Sequence, residues 1–220
     1  SQPIELFEKL SLYKLRSKVE ILNLSNEFVV AVLSQDKFLN LNNAIDKEGY
    51  TLKFREDSLF LDPRNKKLGA RLIINLEKLY LSIKKLNLKP AEPKNYYKLS
   101  HELGIPQIEC ANLKDKVFGI ECNFEELNGI DFKKGCYVGQ ENTARMKLKN
   151  KLRKKLVPIK SDKTLKVGTD LNFNNKKIGQ VLIGEPYPFA LIKLFDPDFS
   201  EFKDKEISID NVKVKLIDIS

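Results

Sequence analysis

Apolar side chains recur at helical spacing from Ile4 to Ser17, where Leu6, Leu10 and Tyr13 mark one stripe that Phe7, Leu12 and Leu15 widen. The stripe predicts a core-facing helix. Val19-Glu20-Ile21-Leu22-Asn23-Leu24 alternates and Phe28-Val29-Val30-Ala31-Val32-Leu33 runs apolar, with Ser25-Asn26-Glu27 between them, which predicts a hairpin. Gln35 to Glu48 is polar and reads as helix or loop. Short strands are expected at Tyr50 to Phe54 and Leu59 to Leu61, then a turn at Asp62-Pro63-Arg64-Asn65 and a further strand from Gly69 to Ile74. Leu76 to Leu86 and Pro93 to Leu103 have helical composition, separated by Lys89-Pro90-Ala91-Glu92-Pro93. Asn123 with Glu126 three residues on has the form of an N-capped helical turn.

The texture changes near Asn150. Beyond it, short β-rich runs at Val157 to Ile159, Asp170 to Phe173, Ile178 to Ile183, Phe189 to Phe195, Ile207 to Ile209 and Val212 to Ile217 are broken by Asn-Asn, Gly and Pro turns. Such spacing predicts a small antiparallel barrel. The expected organisation is therefore α+β, with a mixed domain over 1–150 and a β-barrel domain over 151–220.

One stretch is not explained by core formation. Lys134-Gly135-Cys136-Tyr137-Val138-Gly139-Gln140-Glu141 combines a thiol, two glycines, an amide and a carboxylate. The pattern predicts a tight turn leading into a helix that runs to about Lys147, with Cys136 beside its N-terminus. The helix dipole together with Lys133 and Lys134 would favour the thiolate. An unpaired cysteine is often only a small buried hydrophobe, but these neighbours point to a functional thiol.

The 42% apolar content supports an ordinary core. No apolar run is long enough to span a membrane, and the first residues lack a signal-peptide pattern, so an intracellular protein is expected. Cys110, Cys122 and Cys136 are widely spaced and His101 is the only histidine, which argues against a disulfide framework and against a metal held by this chain alone. His101 reads as a surface or hydrogen-bonded residue rather than a ligand. The net charge of +9 would suit an anionic partner, but nearly all of the excess is lysine, as in an AT-rich coding bias. Arg145 to Lys155 holds seven basic residues and no acidic one. It reads as a solvated face, with docking of an acidic protein or RNA as the alternative. Arg64 and Arg71 could reach an anionic ligand, though exposed arginines are commonly just solvated or paired.

The octapeptide, with Ile130-Asp131-Phe132 before it and Ala144-Arg145-Met146 after it, resembles the signature of the YgfZ branch of the glycine-cleavage T-protein family. Leu12 to Val19, Asp62-Pro63-Arg64, Leu68-Gly69-Ala70-Arg71, Gly104-Ile105-Pro106 and Ala190-Leu191-Ile192-Lys193 follow in the family's order. The resemblance implies a T-protein-like α+β domain followed by a barrel. Family members carry several strands and a helix ahead of the Leu12 to Val19 segment, so the chain is expected to lack those opening strands. It also implies a tetrahydrofolate-binding accessory factor for iron-sulfur cluster assembly or repair, including for radical enzymes that modify tRNA. Cys136 would be its reactive residue, supported by Lys134, Gly135, Tyr137, Gly139, Gln140, Glu141 and Arg145, with Arg64 and Arg71 as candidates for the folate.

The partners implied are iron-sulfur assembly proteins and cluster-dependent client enzymes, in the bacterial cytoplasm or alternatively the mitochondrial matrix. Two departures stand out. Ser100 occupies the place where T-protein relatives often carry a folate-contacting arginine, and Phe118-Gly119-Ile120-Glu121 replaces a common F-P-H-E. The alternatives are a tetrahydrofolate-dependent aminomethyltransferase and an RNA-binding module. The basic run has no interleaved aromatics for base stacking, which argues against direct nucleic-acid binding.

Overall fold

The computed structural model describes residues 2–54, 56–85, 87–136, 140–148, 152–209 and 212–217. The chain divides into two compact units, Ser1–Asp62 with Gly69–Pro90 and Pro63–Leu68 with Ala91–Ser220.

The first unit contains α1 (Gln2–Lys14), β1 (Phe28–Leu33), α2 (Gln35–Leu39), β2 (Thr51–Phe54), β3 (Asp57–Leu61), β4 (Ala70–Asn75) and α3 (Leu76–Lys85). Its strands form one antiparallel sheet in the order β1-β4-β3-β2. Period-two alternation builds the core face: Val29, Ala31 and Leu33 of β1 stand opposite Ile74, Leu72 and Ala70 of β4. Leu59 and Leu61 of β3 continue the layer, and the fully buried Phe38 of α2 packs on it. The chain enters β4 through Gly69 at φ +89°, where an added Cβ would lie 2.2 Å from the Leu33 carbonyl oxygen. Only glycine satisfies both the angle and the gap.

Two expectations for this unit are corrected. Residues 17–24 form no strand, and β1 pairs with β4 instead. The alternating Ala70, Leu72 and Ile74 supply the apolar face that matches Val29, Ala31 and Leu33. The α1 stripe is not core-facing: Leu6, Leu10 and Tyr13 are 58%, 46% and 81% exposed. With Ile21, Leu22, Leu24 and Phe28, the Leu6, Phe7 and Leu10 side chains line an open groove of about 330 Å³. On the sheet's other face Val30, Val32 and Ile73 are exposed as well.

The second unit contains α4 (Pro93–Glu102), 3-10 turns at Lys66–Leu68, Cys110–Leu113, Gly119–Cys122 and Phe199–Glu201, α5 (Gln140–Leu148), β5 (Lys154–Ser161), β6 (Asp170–Phe173), β7 (Lys176–Ile183), β8 (Phe189–Lys193), β9 (Glu206–Ile209) and β10 (Val212–Leu216). Six antiparallel strands run in the order β6-β7-β8-β5-β10-β9, and the outer two, β6 and β9, touch, so the sheet is nearly closed into a barrel. Val157, Ile159, Leu171, Ile178, Val181, Ala190, Ile192 and Val214 fill it around Phe202. β6 turns into β7 through Asn174 and Asn175 at φ 49° and 61°, the pair of left-handed residues a two-residue hairpin needs.

A further apolar layer covers the barrel's outside, where Leu113, Val117 and Cys122 pack against Leu156, Leu182, Ile183 and Phe189. The unit that holds the barrel thus begins near Ala91, although the texture change near Asn150 marks where its strands start. Asn123 starts one helical turn, its carbonyl accepting the Leu127 N–H at 2.9 Å, but its side chain does not cap it. It closes the Gly119–Cys122 turn in the left-handed region at φ 61°, and its side-chain amide donates to the Leu156 carbonyl at 3.1 Å. Glu121 makes the cap instead, accepting the Phe118 N–H at 2.9 Å.

Candidate functional site

The cysteine loop is shaped by short-range polar chemistry. Asp131 Oδ1 accepts the Lys133 N–H at 2.8 Å, an Asx turn that directs the chain toward Cys136. Phe132 is half-buried, and the Lys147 ammonium of α5 lies 5.6 Å from its ring centroid. Lys147 also pairs with Glu125. Cys136 itself is exposed, as are Lys133 and Lys134.

The helix expected after the motif is α5, which begins at Gln140 with Glu141 in its first turn, where the dipole favours a carboxylate. Arg145 donates to Asn142 Oδ1 at 3.0 Å on the same helix. Tyr137, Val138 and Gly139 lie outside the described residues, and with them the expected tight turn at Gly139. Gly135 is not required by its angle or by crowding. Its backbone is not left-handed, and an added Cβ would meet nothing within 4 Å.

The three thiols sit in different surroundings. Burial, and then the charge of Glu121, push the Cys122 thiol up to about 11. Partial desolvation also raises Cys110, against a hydrogen bond to backbone that works the other way. Both are held as thiols, and Cys136 is the one carried on the exposed motif loop.

The turn before the loop is compact around Phe124. A Cβ at Gly119 would reach the Phe124 ring at 3.0 Å, and one at Gly129 would reach the Phe124 carbonyl oxygen at 3.1 Å. This gives a packing reason for glycine at the place of the proline in the common F-P-H-E. Asn128, at φ 56°, donates to the Pro63 carbonyl at 2.8 Å and so ties this turn to the Pro63–Arg64 segment.

Arg64 then enters a polar cluster. Its guanidinium donates to Tyr96 Oη at 3.2 Å, and the Gln107 amide oxygen accepts from both terminal nitrogens at 2.9 and 3.2 Å. Ser100 is fully buried and donates to the Ile105 carbonyl at 2.6 Å. Arg71 belongs to the other unit, where its Nε donates to the buried Asp62 carboxylate at 2.8 Å. Arg71 is therefore matched by a carboxylate of its own unit.

The basic run is also partly neutralised. Lys147 pairs with Glu125 and Lys155 with Glu126, the latter at 3.0 Å. Partial burial works against ionisation of Glu126, but its bond to Lys155, a backbone hydrogen bond and the charges of Lys155 and Lys147 together outweigh that and hold its carboxyl below the ordinary value. Lys149 and Lys151 lie outside the described residues. Tyr96, Gln107 and Asn128 were not singled out from the sequence. Asn128-Gly129 is a turn signal, whereas nothing local marks Tyr96 or Gln107. Among the described residues, no cluster of three His, Cys, Asp or Glu could hold a metal, and no helix is long and apolar enough to cross a membrane.

No protein-family model matches the chain. It is similar to curated proteins described as mitochondrial iron-sulfur cluster assembly factor IBA57 or its homologues. Identity to the Dictyostelium discoideum protein is 31% over 167 residues, covering 70% of this chain and 38% of the relative. The mouse protein is 32% identical over 157 residues, 70% of this chain and 41% of the relative. The Neurospora crassa protein is 29% identical over 160 residues, 70% of this chain and 34% of the relative. The chain thus matches well under half the length of each of these relatives.

Proposed function

We propose that this chain is an accessory factor of iron-sulfur cluster assembly that works through Cys136. The observation that carries the reading is the similarity, over 70% of the chain, to proteins described as iron-sulfur cluster assembly factors. The surroundings of the thiols support the choice of residue: Cys122 is buried and held protonated, while Cys136 is exposed on the motif loop. A soft sulfur in that position suits transient contact with a cluster or a persulfide, and a hydroxyl does not. Its partners would be other assembly proteins and the enzymes that receive clusters. The relatives' mitochondrial descriptions favour the organelle over the bacterial cytoplasm.

Folate fits the described residues poorly. Ser100 is buried and bonded to Ile105, Arg71 is matched by Asp62, and Arg64 is engaged by Tyr96 and Gln107. The proposed role is therefore derived without a folate step, and an aminomethyltransferase gains no support.

The test is complementation of a cell deficient in cluster assembly. Cys136→Ser and Cys136→Ala are expected to fold and to leave a cluster-dependent enzyme inactive, while Cys110→Ser restores it. Full rescue by both Cys136 variants would end the assignment to this thiol, and failure of the unmutated chain to rescue would end the assembly role itself. Titration with tetrahydrofolate, read by quenching of tyrosine fluorescence, is expected to show no saturable binding.

A further inference from the structure

The chain's only histidine sits where α4 meets the barrel of its own unit. His101 is buried at the C-terminal end of α4, and its Nε2 lies 2.9 Å from the Pro188 carbonyl oxygen in the β7–β8 connection. A carbonyl only accepts, so Nε2 carries the hydrogen and Nδ1 is the atom that would take an added proton. The same carbonyl accepts the Ile159 N–H of β5 at 3.0 Å, so the ring completes the end of a strand ladder. Phe189 meets the imidazole edge-on at 5.1 Å and Tyr187 lies 5.8 Å from it. Tyr187 also reaches the other end of the helix, donating to the Lys94 carbonyl at 2.9 Å. α4 is thus clasped at both ends by residues 187–189, while Tyr96 and Ser100 on the same helix hold Arg64 and the Ile105 carbonyl.

We propose that His101 is an acid-sensitive latch, whose protonation releases the C-terminal end of α4 from the β7–β8 connection and loosens the Arg64–Tyr96–Gln107 cluster. The cage of Phe189 and Tyr187 gives a cationic ring little solvation. Of the charged groups around it, Lys160 of β5 opposes the added charge, while Glu102 of α4 and Glu185 of the connection favour it. Burial dominates and holds His101 below its ordinary value, against the pull of the Pro188 bond. A group whose pKa is lowered in the closed form stabilises that form above its free value. That contribution is lost as pH falls below the free value, near 6.5.

Amide hydrogen exchange localised to 94–103 tests the latch. After correction for the intrinsic pH dependence of exchange, opening at about pH 5.5 is expected to exceed that at about pH 7.5 by up to roughly tenfold, the limit reached when the closed form takes up no proton. His101→Gln keeps an N–H for the Pro188 carbonyl and does not titrate, so its exchange in 94–103 should not respond to the same change. An equal acceleration in His101→Gln, or no local acceleration in the unmutated protein, overturns the latch. If the variant does not fold, the Cε1–H resonance of the single histidine in the unmutated chain decides. A midpoint below about 6.5 that coincides with the opening of α4 supports the latch, and a midpoint at or above the free value refutes it.

Discussion

Gly69→Ala is the substitution whose cost can be worked most directly from the structure. At φ +89° an alanine is strained even in open space, and its Cβ would stand 2.2 Å from the Leu33 carbonyl oxygen, with the Leu33 carbonyl carbon at 3.1 Å. The left-handed region costs an L-residue about 1–2 kcal/mol. Overpacking against atoms that cannot rotate away adds about 1–3 kcal/mol. The obstacle is backbone, and Leu33 and Ala70 are paired in the β1–β4 ladder, so relief requires moving two strands.

A loss of roughly 2–5 kcal/mol is therefore expected for the first unit, a large share of the stability of a small domain. Gly135→Ala is the control, since its Cβ meets nothing within 4 Å and its backbone is not left-handed. It should change stability by less than about 0.5 kcal/mol. Urea unfolding of both variants, followed by circular dichroism, makes the comparison. A Gly69→Ala loss below about 1 kcal/mol, or a Gly135→Ala loss as large as that of Gly69→Ala, would show that the two glycines do not differ in this way.

Lys154 of β5 stands directly opposite Lys193 of β8, a like-charge pair across an antiparallel ladder. Lys193→Glu is expected to raise stability by about 0.2–1 kcal/mol at low salt and by less at high salt, and an unchanged or lowered urea midpoint would count against the register argument. For the thiols, a Cys122 value of about 11 against an ordinary 9.0 leaves about a hundredfold less thiolate at about pH 8. Cys122 should therefore react with an aromatic disulfide reagent only as the protein unfolds, after Cys136. Fast modification of Cys122 in the folded protein, mapped by mass spectrometry, would contradict its burial.

The barrel was legible because its signals are local. Strands such as Val212 to Leu216 alternate, and Asn174-Asn175 names its own turn. The first sheet was less so, because Val19–Leu24 and β4 both offer β-like runs to β1, and the choice depends on which apolar face comes into register across a long stretch of chain. Asn123 and Glu126 carry the letters of a cap, but Glu121 is the residue that reaches an orphan N–H, and one-letter spacing does not separate the two frames. Cys136 stood out from its neighbours alone. Arg64 and Arg71 looked equivalent in sequence. Asp62 and the Tyr96–Gln107 pair distinguish them, and those partners become visible only when distant segments fold together. The same holds for Lys147 and Lys155, whose carboxylate partners precede the cysteine loop.

Among the described residues β1 lies at the border of its sheet, paired with β4 on one side only, and Val30 and Val32 face away from the core. Its six residues, Phe28 to Leu33, contain no charge, no proline and no glycine. That is the composition of a segment able to stack in register with copies of itself into a cross-β fibril. An unpaired border offers a template for such growth. A capping strand from any source would therefore act here as a solubility device as well as a structural one. Wherever β1 is left without such a strand, the onset of fibril formation at high concentration should be governed by these six residues, not by the many charges elsewhere.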